Sequence, residues 1–292
     1  MKMNAVSELD VGAALLRSNA RLLRTQALPA GVWLAHWGNA DTTMSYLKPG
    51  HHTLSLYLEG GHEVRCHQAP AARGHPGSLC LLPAEHESHW DVHGSLQLLH
   101  LYLPTLQWAL AAERWFDLDP RFARLTERVY FRDDKLAALG MRIAFLDWER
   151  TGAPLVLQQL VLDVQVRLIT AHVGHGGRIG AVRGGLSPTA RRRVLDHVES
   201  HLAERIDLRD LAESACLSEF HFARMFKTSF NVSPHAWVMQ RRLTRARAML
   251  CKRSVSLEEV ANRCGYAHLS HLNSALKRAG LRAASSVDAL PL

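Results

Sequence analysis

An internal repeat near the C-terminus constrains this chain more than any other feature. Two segments match at an offset of 49 to 50 residues: Leu211-Ala212 with Val260-Ala261, and Cys216-Leu217 with Gly265-Tyr266. One inserted residue later, Phe222 pairs with Leu272, Phe226 with Leu276 and Lys227 with Lys277. Each copy reads as a short helix, a tight turn and a second helix. The first copy runs from about Leu208 to Ala215, turns through Cys216 and Leu217, and restarts at Glu219 with Ser218 as N-cap. In the second copy Ser256, with Glu259 three residues on, forms a capping-box pattern. Its turn is Gly265-Tyr266, where glycine takes positive φ at low cost. Between the copies, Ser233-Pro234 starts a long helix. Trp237, Leu243, Ala246 and Leu250 are spaced to face a core, and Arg241, Arg242, Arg245 and Arg247 make the helix basic.

Charge is placed unevenly around this repeat. The 292 residues carry a net charge of +8. Residues 186–292 hold 17 Lys/Arg against 10 Asp/Glu, whereas the 185 residues before them are close to neutral. A basic domain beside a neutral one points to a polyanionic partner for one part only. If the long helix holds the two repeat units about 34 Å apart, their second helices enter successive major grooves on one face of DNA. A helical repeat with no nucleic-acid role is the alternative, and the localised charge argues against it.

The rest of the chain divides in two. Residues 174–186, GHGGRIGAVRGGL, contain six glycines and no apolar periodicity, so they read as a linker. From Gly31 to about Leu103, short β-type runs recur at 32–37, 53–59, 62–67, 78–83, 86–92 and 96–103, separated by Pro, Gly and Ala clusters. Such spacing suggests a sandwich or small barrel. Helix is expected over 104–173, with Asp119-Pro120 read as an N-cap followed by proline at the first helical position. Leu157, Leu160, Val161, Val164, Leu168 and Ile169 give residues 155–173 a broad apolar face, which packs either on its own barrel or on a second subunit. The fold class is thus α+β in two domains, with boundaries at 1–173 and 187–292.

No run of about 18 apolar residues marks a membrane span. Glu8 and Asp10 interrupt any signal-peptide core, so a cytoplasmic location is expected. The five cysteines, Cys66, Cys80, Cys216, Cys251 and Cys264, contain no CxxC pair and read as reduced, buried thiols.

Residues 211–250 resemble the first helix-turn-helix and connecting helix of the AraC/XylS transcription regulators, and residues 260–278 resemble their second unit. The likeness covers about Ser187 to Arg278. It implies an all-α double helix-turn-helix domain behind a cupin-like β-barrel that binds a small effector, with a helical dimerisation segment between them. Promoter DNA, RNA polymerase and a second copy of the chain are the implied partners, activation the implied outcome, and no cofactor is implied. By position in the family motif, Phe220, His221, Ala223 and Arg224 read bases, while Lys227 and Thr228 contact phosphates. Arg224 is the main reader, through bidentate bonding to guanine. Phe222, Met225 and Phe226 fall on the core side. In the second unit His268, Ser270, His271, Asn273 and Ser274 hold the equivalent places, with Lys277 and Arg278 toward the backbone. Here the sequence departs from its relatives: Ser274 stands where many carry arginine, Leu276 where many carry an aromatic, and GLRAASS (280–286) lacks the closing proline. The second unit is therefore expected to read bases less.

The competing reading is a metal-dependent cupin enzyme carrying an accessory DNA-binding domain. His51, His52, Glu59 and His89 imitate the metal-ligand set of that fold, without the usual His-x-His. A methyl-accepting repair protein lacks the cysteine cluster it would need. No Walker loop, dinucleotide fingerprint or nucleophile elbow is present, and no catalytic residue is assigned.

Overall fold

A computed structural model of the chain describes residues 10–28, 31–116, 118–173, 184–250 and 255–278. It separates into two compact units, residues 1–178 and 179–292.

The N-terminal unit opens with α1 (Asp10–Arg17). The strands β1 (Arg21–Ala27), β2 (Trp33–Leu47), β3 (His51–Gly60), β4 (Val64–Cys66), β5 (Leu79–Leu82) and β6 (Glu87–Pro104) follow. Then come α2 (Thr105–Phe116), β7 (Arg128–Phe131), α3 (Asp134–Phe145) and α4 (Ala153–His172). The strands form one antiparallel sheet in the order β1-β2-β6-β3-β5-β7, with β4 also paired to β6. Period-two alternation splits the side chains of β6 cleanly. Leu99, Leu101 and Leu103 join Leu54, Leu56, Leu79 and Leu81 on the face covered by Trp108, Leu136, Leu157 and Leu168 of the helices. Leu96, Leu98 and Tyr102 join Trp37, Tyr57 and Cys80 on the inner face, to which α1 adds Val11 and Leu15. Both faces are buried along the last part of β6, which reads as a nearly continuous apolar run.

The runs at 86–92 and 96–103 belong to one strand. Gly94, at φ 69°, carries β6 across a bulge opposite Asp41, whose carboxylate accepts the Gly94 N–H at 2.9 Å. Helix α4 falls where its periodicity placed it, and all six of its named apolar residues are buried. Asp119-Pro120 starts a turn instead of a helix. The Asp119 carboxylate accepts from the Arg121 backbone and guanidinium, and its carbonyl closes the turn on the Phe122 N–H. Strand β7 also interrupts the expected helical stretch. Asp133 caps α3 through the Lys135 and Leu136 N–H groups and accepts from Arg167 and His172 of α4 at 2.9 and 2.8 Å. Burial alone would raise its carboxyl, but the hydrogen bonds from His172, Leu136 and Arg167 outweigh this and hold it below the ordinary carboxylate value.

The C-terminal unit is all helix: α5 (Pro188–His201), α6 (Leu208–Ser214), α7 (Glu219–Phe230), α8 (Pro234–Leu250), α9 (Leu257–Arg263) and α10 (Leu269–Arg278). Most of the expected linker, 174–183, lies outside the described residues. Its last part does not behave as a linker. The Leu186 side chain is buried, its N–H donates to Ser229 Oγ at 2.8 Å, and its carbonyl accepts from the buried Arg191 at 3.1 Å. A leucine and a satisfied carbonyl next to the two glycines make that segment part of the domain core. Cys66, Cys80 and Cys264 are buried as expected, but Cys216 is exposed in a turn, and Cys251 lies outside the described residues.

Burial pushes His52 down to about 4 and His100 down to about 3, with His51 adding repulsion to both. Their unfolded counterparts titrate near 6.5, so below that pH the unfolded chain binds protons that the folded chain refuses. Stability should be flat above pH 6.5 and fall by about 1.4 kcal/mol per pH unit for each group as pH drops toward 4. Urea midpoints between about pH 7 and pH 5 should show this loss, and His100→Gln should flatten it. A level profile in the parent chain would mean that these rings are not buried as neutral groups.

Candidate nucleic-acid interface and interior cavity

Each repeat builds the same frame from equivalent residues. Leu211, Ala212, Phe222 and Phe226 are buried in the first, and Val260, Ala261, Leu272 and Leu276 in the second. The turns also match: the Leu217 N–H reaches the Ala212 carbonyl at 2.9 Å, and the Tyr266 N–H reaches Ala261 at the same distance. Helix α6 carries a reciprocal capping box between Asp207 and Asp210 that sequence inspection had not assigned. Ser256 caps α9 by accepting the Glu259 N–H, whereas Ser218 caps α7 by backbone position without a side-chain bond.

Helix α8 serves both frames. Trp237 lies edge-on to Phe226 at 5.7 Å in the first, and Ala246 with Leu243 and Leu250 completes the second. Its arginines are less available than a basic helix suggests. Arg241 pairs with Glu199 of α5. Arg242 donates to the carbonyls of Leu202 and Glu204 at 3.2 and 2.5 Å. Arg245 remains exposed.

The two second helices, α7 and α10, present the candidate readers outward. Phe220, His221, Arg224, Lys227 and Thr228 are exposed and Ala223 half-buried, while Phe222, Met225 and Phe226 are buried as expected. Phe220 is 80% exposed and stands on the same outer side as His221 and Arg224. His268, just before α10, and Ser270, His271, Asn273, Ser274 and Lys277 within it are exposed. The side chain of Arg278 and residues 280–286 lie outside the described residues. Thr228 departs from its expected part in one respect: its hydroxyl donates to the Arg224 carbonyl at 2.9 Å, so its proton is already used. Arg193 was missed. It stands exposed on α5 with Nη1 3.3 Å from Cys216 Sγ, beside the turn that leads into α7. Helical geometry gives the signal in retrospect: Arg191 shares the face of Val194 and Val198, which turns Arg193 away from the core.

The histidines of the N-terminal unit do not converge as a metal set. His51 and His52 are neighbours on β3 and project to opposite faces, His51 edge-on to Tyr102 and His52 edge-on to Trp108. Glu59 is exposed and accepts from Gln97. His89 is exposed with Nδ1 2.7 Å from Ser45 Oγ. Among the described residues, no three His, Cys, Asp or Glu side chains are grouped to hold a metal ion. The inner face of the sheet encloses a cavity of about 30 Å³ whose wall includes Asn39, Tyr46, Ser55, Tyr57, Leu98 and His100.

Comparison with known proteins bears on the repeat. The family described as "Helix-turn-helix domain" matches residues 211–282. That stretch contains both repeat units, from Leu211 of the first to the end of the second helix of the other. The probable transcriptional regulator LumQ of Photobacterium leiognathi is 30% identical over 83 residues, 28% of this chain and 34% of LumQ. The virulence regulon transcriptional activator VirF of Yersinia enterocolitica is 24% identical over 130 residues, 44% of this chain and 48% of VirF. The chain thus spans less than half the length of either relative. Among solved structures, the DNA-binding domain of the global transcriptional factor AdpA, in complex with a target DNA, is 29% identical. It covers 31% of this chain and 80% of that one, with a TM-score of 0.30. No helix among the described residues is long and apolar enough to cross a membrane.

The turns of the two repeats differ in a testable way. Gly265, at φ 74°, lies so close to the Leu202 carbonyl that an added Cβ would sit 2.4 Å from it. Cys216 holds the equivalent place at φ 56°, a left-handed conformation that costs a non-glycine residue about 1 kcal/mol. Gly265→Ala should therefore destabilise the C-terminal unit by more than about 1 kcal/mol, while Cys216→Gly should be neutral or stabilising. Thermal melts of the two variants check this. Equal destabilisation by both would show that the turns are not equivalent.

Proposed function

We propose that this chain is a ligand-responsive transcription regulator that binds promoter DNA through α7 and α10 and activates transcription with RNA polymerase. Residues from about 184 to the C-terminus form the DNA-binding domain. Residues 1–173 form a cupin-like effector domain whose helices, α4 foremost, support a homodimer in the cytoplasm. The observation that carries the DNA-binding reading is the division of α7 into two faces. Its apolar residues are buried, and its exposed side offers Phe220, His221, Arg224 and Lys227 together. Arg224 and Lys227 have no ion-pair partner among the described residues, so both charges are free for nucleic acid. Thr228, with its proton committed, is a weaker phosphate contact than Lys227, and Arg193 takes a place beside them.

The enzyme alternative needs a metal set that His51, His52, Glu59 and His89 do not assemble. A regulator needs none, and in our reading the N-terminal unit binds its effector without chemistry.

Sequence preference should come mainly from α7. Arg224→Ala should lose about 1–3 kcal/mol at one or two base positions and relax specificity there. Asn273→Ala should have a smaller effect at the other end of the half-site. A base-by-base affinity scan of both variants against a selected site tests the ranking, which is wrong if Asn273→Ala relaxes specificity more.

Lys227→Ala should weaken binding evenly across sequences and make the salt dependence shallower by about one. The measurement is affinity against salt concentration for two unrelated duplexes. A loss confined to one sequence would contradict a phosphate contact.

A further inference from the structure

The wall of the N-terminal cavity restricts what it can hold, and the following rests on the effector-binding reading above. Asn39 on β2 is only 5% exposed. Its Oδ1 accepts the Ala40 N–H at 2.9 Å, which fixes the orientation of the amide and leaves Nδ2 buried without a partner at the cavity wall. A buried donor left unmatched lowers stability, because it gives up its bond to water and gains none in return. Two more donors line the same space. Tyr102 accepts from Trp37 Nε1 at 3.0 Å, and its hydroxyl lies 3.0 Å from His100 Nδ1. In the tautomer that accepts the Tyr102 proton at Nδ1, His100 carries its own on Nε2. The Tyr46 hydroxyl donates to Met44 Sδ at 2.7 Å, and a thioether is a weak acceptor that a better one would displace.

Among the described residues, no Lys, Arg, Asp or Glu lines the cavity. Burial pushes His100 down to about 3, so the imidazole is neutral under ordinary conditions. A carboxylate or phosphate entering here would leave water for a neutral wall with no counter-ion, at a cost of several kcal/mol. A carbonyl oxygen brings two lone pairs and no charge, and Leu98 and Met44 offer its carbons an apolar, adaptable surface. The volume of about 30 Å³ is that of one water-sized group, so it takes the carbonyl oxygen and leaves the alkyl chain outside.

We propose that the cavity recognises an uncharged carbonyl compound, a ketone or aldehyde whose oxygen accepts from Asn39 Nδ2 with His100 and Tyr46 as further donors. The test uses the full chain and straight-chain methyl ketones from 2-butanone to 2-nonanone, each set against the carboxylate with the same number of heavy atoms, propionate to octanoate. Binding is measured by calorimetry and thermal shift. We expect at least one ketone to bind at a single saturable site, about tenfold tighter than its carboxylate. Asn39→Leu and Tyr46→Phe should each weaken it by about threefold or more while still melting cooperatively. The proposal is overturned if no ketone in the series binds, if the matched carboxylate binds as tightly, or if both variants bind the ketone like the parent. Binding of the same protein to random-sequence duplex DNA at low salt separates the two readings. DNA binding without ketone binding sinks the ligand assignment alone, and ketone binding without DNA binding sinks the regulator reading alone.

Discussion

Helix α8 fixes the frame on which the DNA-binding surface depends. Two recognition helices can address one duplex only if their relation is set by something stiffer than a loop. Here one helix supplies core residues to both frames, Trp237 and Val238 to the first and Leu243, Ala246 and Leu250 to the second. Arg242 then fastens the middle of that helix to the end of α5 by donating to the Leu202 and Glu204 carbonyls. Those carbonyls sit past the end of a helix, where acceptors lack intrahelical partners. A guanidinium satisfies two of them at once. Gly265 packs against the same Leu202 carbonyl, so the turn of the second unit, the end of α5 and the middle of α8 meet at one point.

The N-terminal unit follows a different logic, in which β6 is the spine. Eighteen residues long, it pairs with β2, β3 and β4 and buries both faces. The helix-covered face is almost wholly apolar and supplies stability. The inner face mixes Trp37 and Leu98 with Thr53, Ser55, His51, His100 and Asn39, all buried. Polar groups in such a place lower stability unless each is matched, and the Asn39 and His86 nitrogens are not matched within the protein. A sheet that only had to fold would do better with leucine at those positions. The polarity of one face beside the apolarity of the other locates the part of the unit that answers to something besides folding.

Much of this was legible in the sequence, and the exceptions share causes. The repeat, the capping residues of its helices, the apolar stripe of α4 and the outward residues of α7 and α10 all follow from local periodicity. Strand β1 and the second half of β2 were not seen. RLLRTQA and NADTTMSYL alternate weakly, and their pairing partners lie far along the chain. Asp-Pro is the same signal for a turn as for a helix start, and only the Arg121 contacts decided which. Gly184–Leu186 looked like linker because glycine dominates its composition, yet the burial of Leu186 depends on Arg191 and Ser229, which no local pattern connects to it. The cavity was the least legible feature. His51, His52, Glu59 and His89 imitate a metal-ligand set in the sequence, but alternation along the strands sends neighbours such as His51 and His52 to opposite faces.

Charge count and charge availability also come apart in this protein. The basic C-terminal unit was recognised from its net charge, but several of its cations are already engaged. Arg191 is buried against the Leu186 carbonyl, Arg209 and Arg263 pair with glutamates one turn away, and Arg241 and Arg242 hold α8 to α5. Ion pairs between exposed residues one turn apart are worth only a few tenths of a kcal/mol. Arg209 and Arg263 are therefore held loosely and can be recruited by phosphate, whereas Arg191 and Arg242 would leave buried carbonyls unmet. Among the described side chains of α7 and α10, the cations that remain exposed and unengaged are Arg224, Lys227 and Lys277. Two of the three lie on α7, one helical turn apart, beside Phe220. It is this placement, more than the net charge of the domain, on which the proposed ranking of α7 above α10 rests.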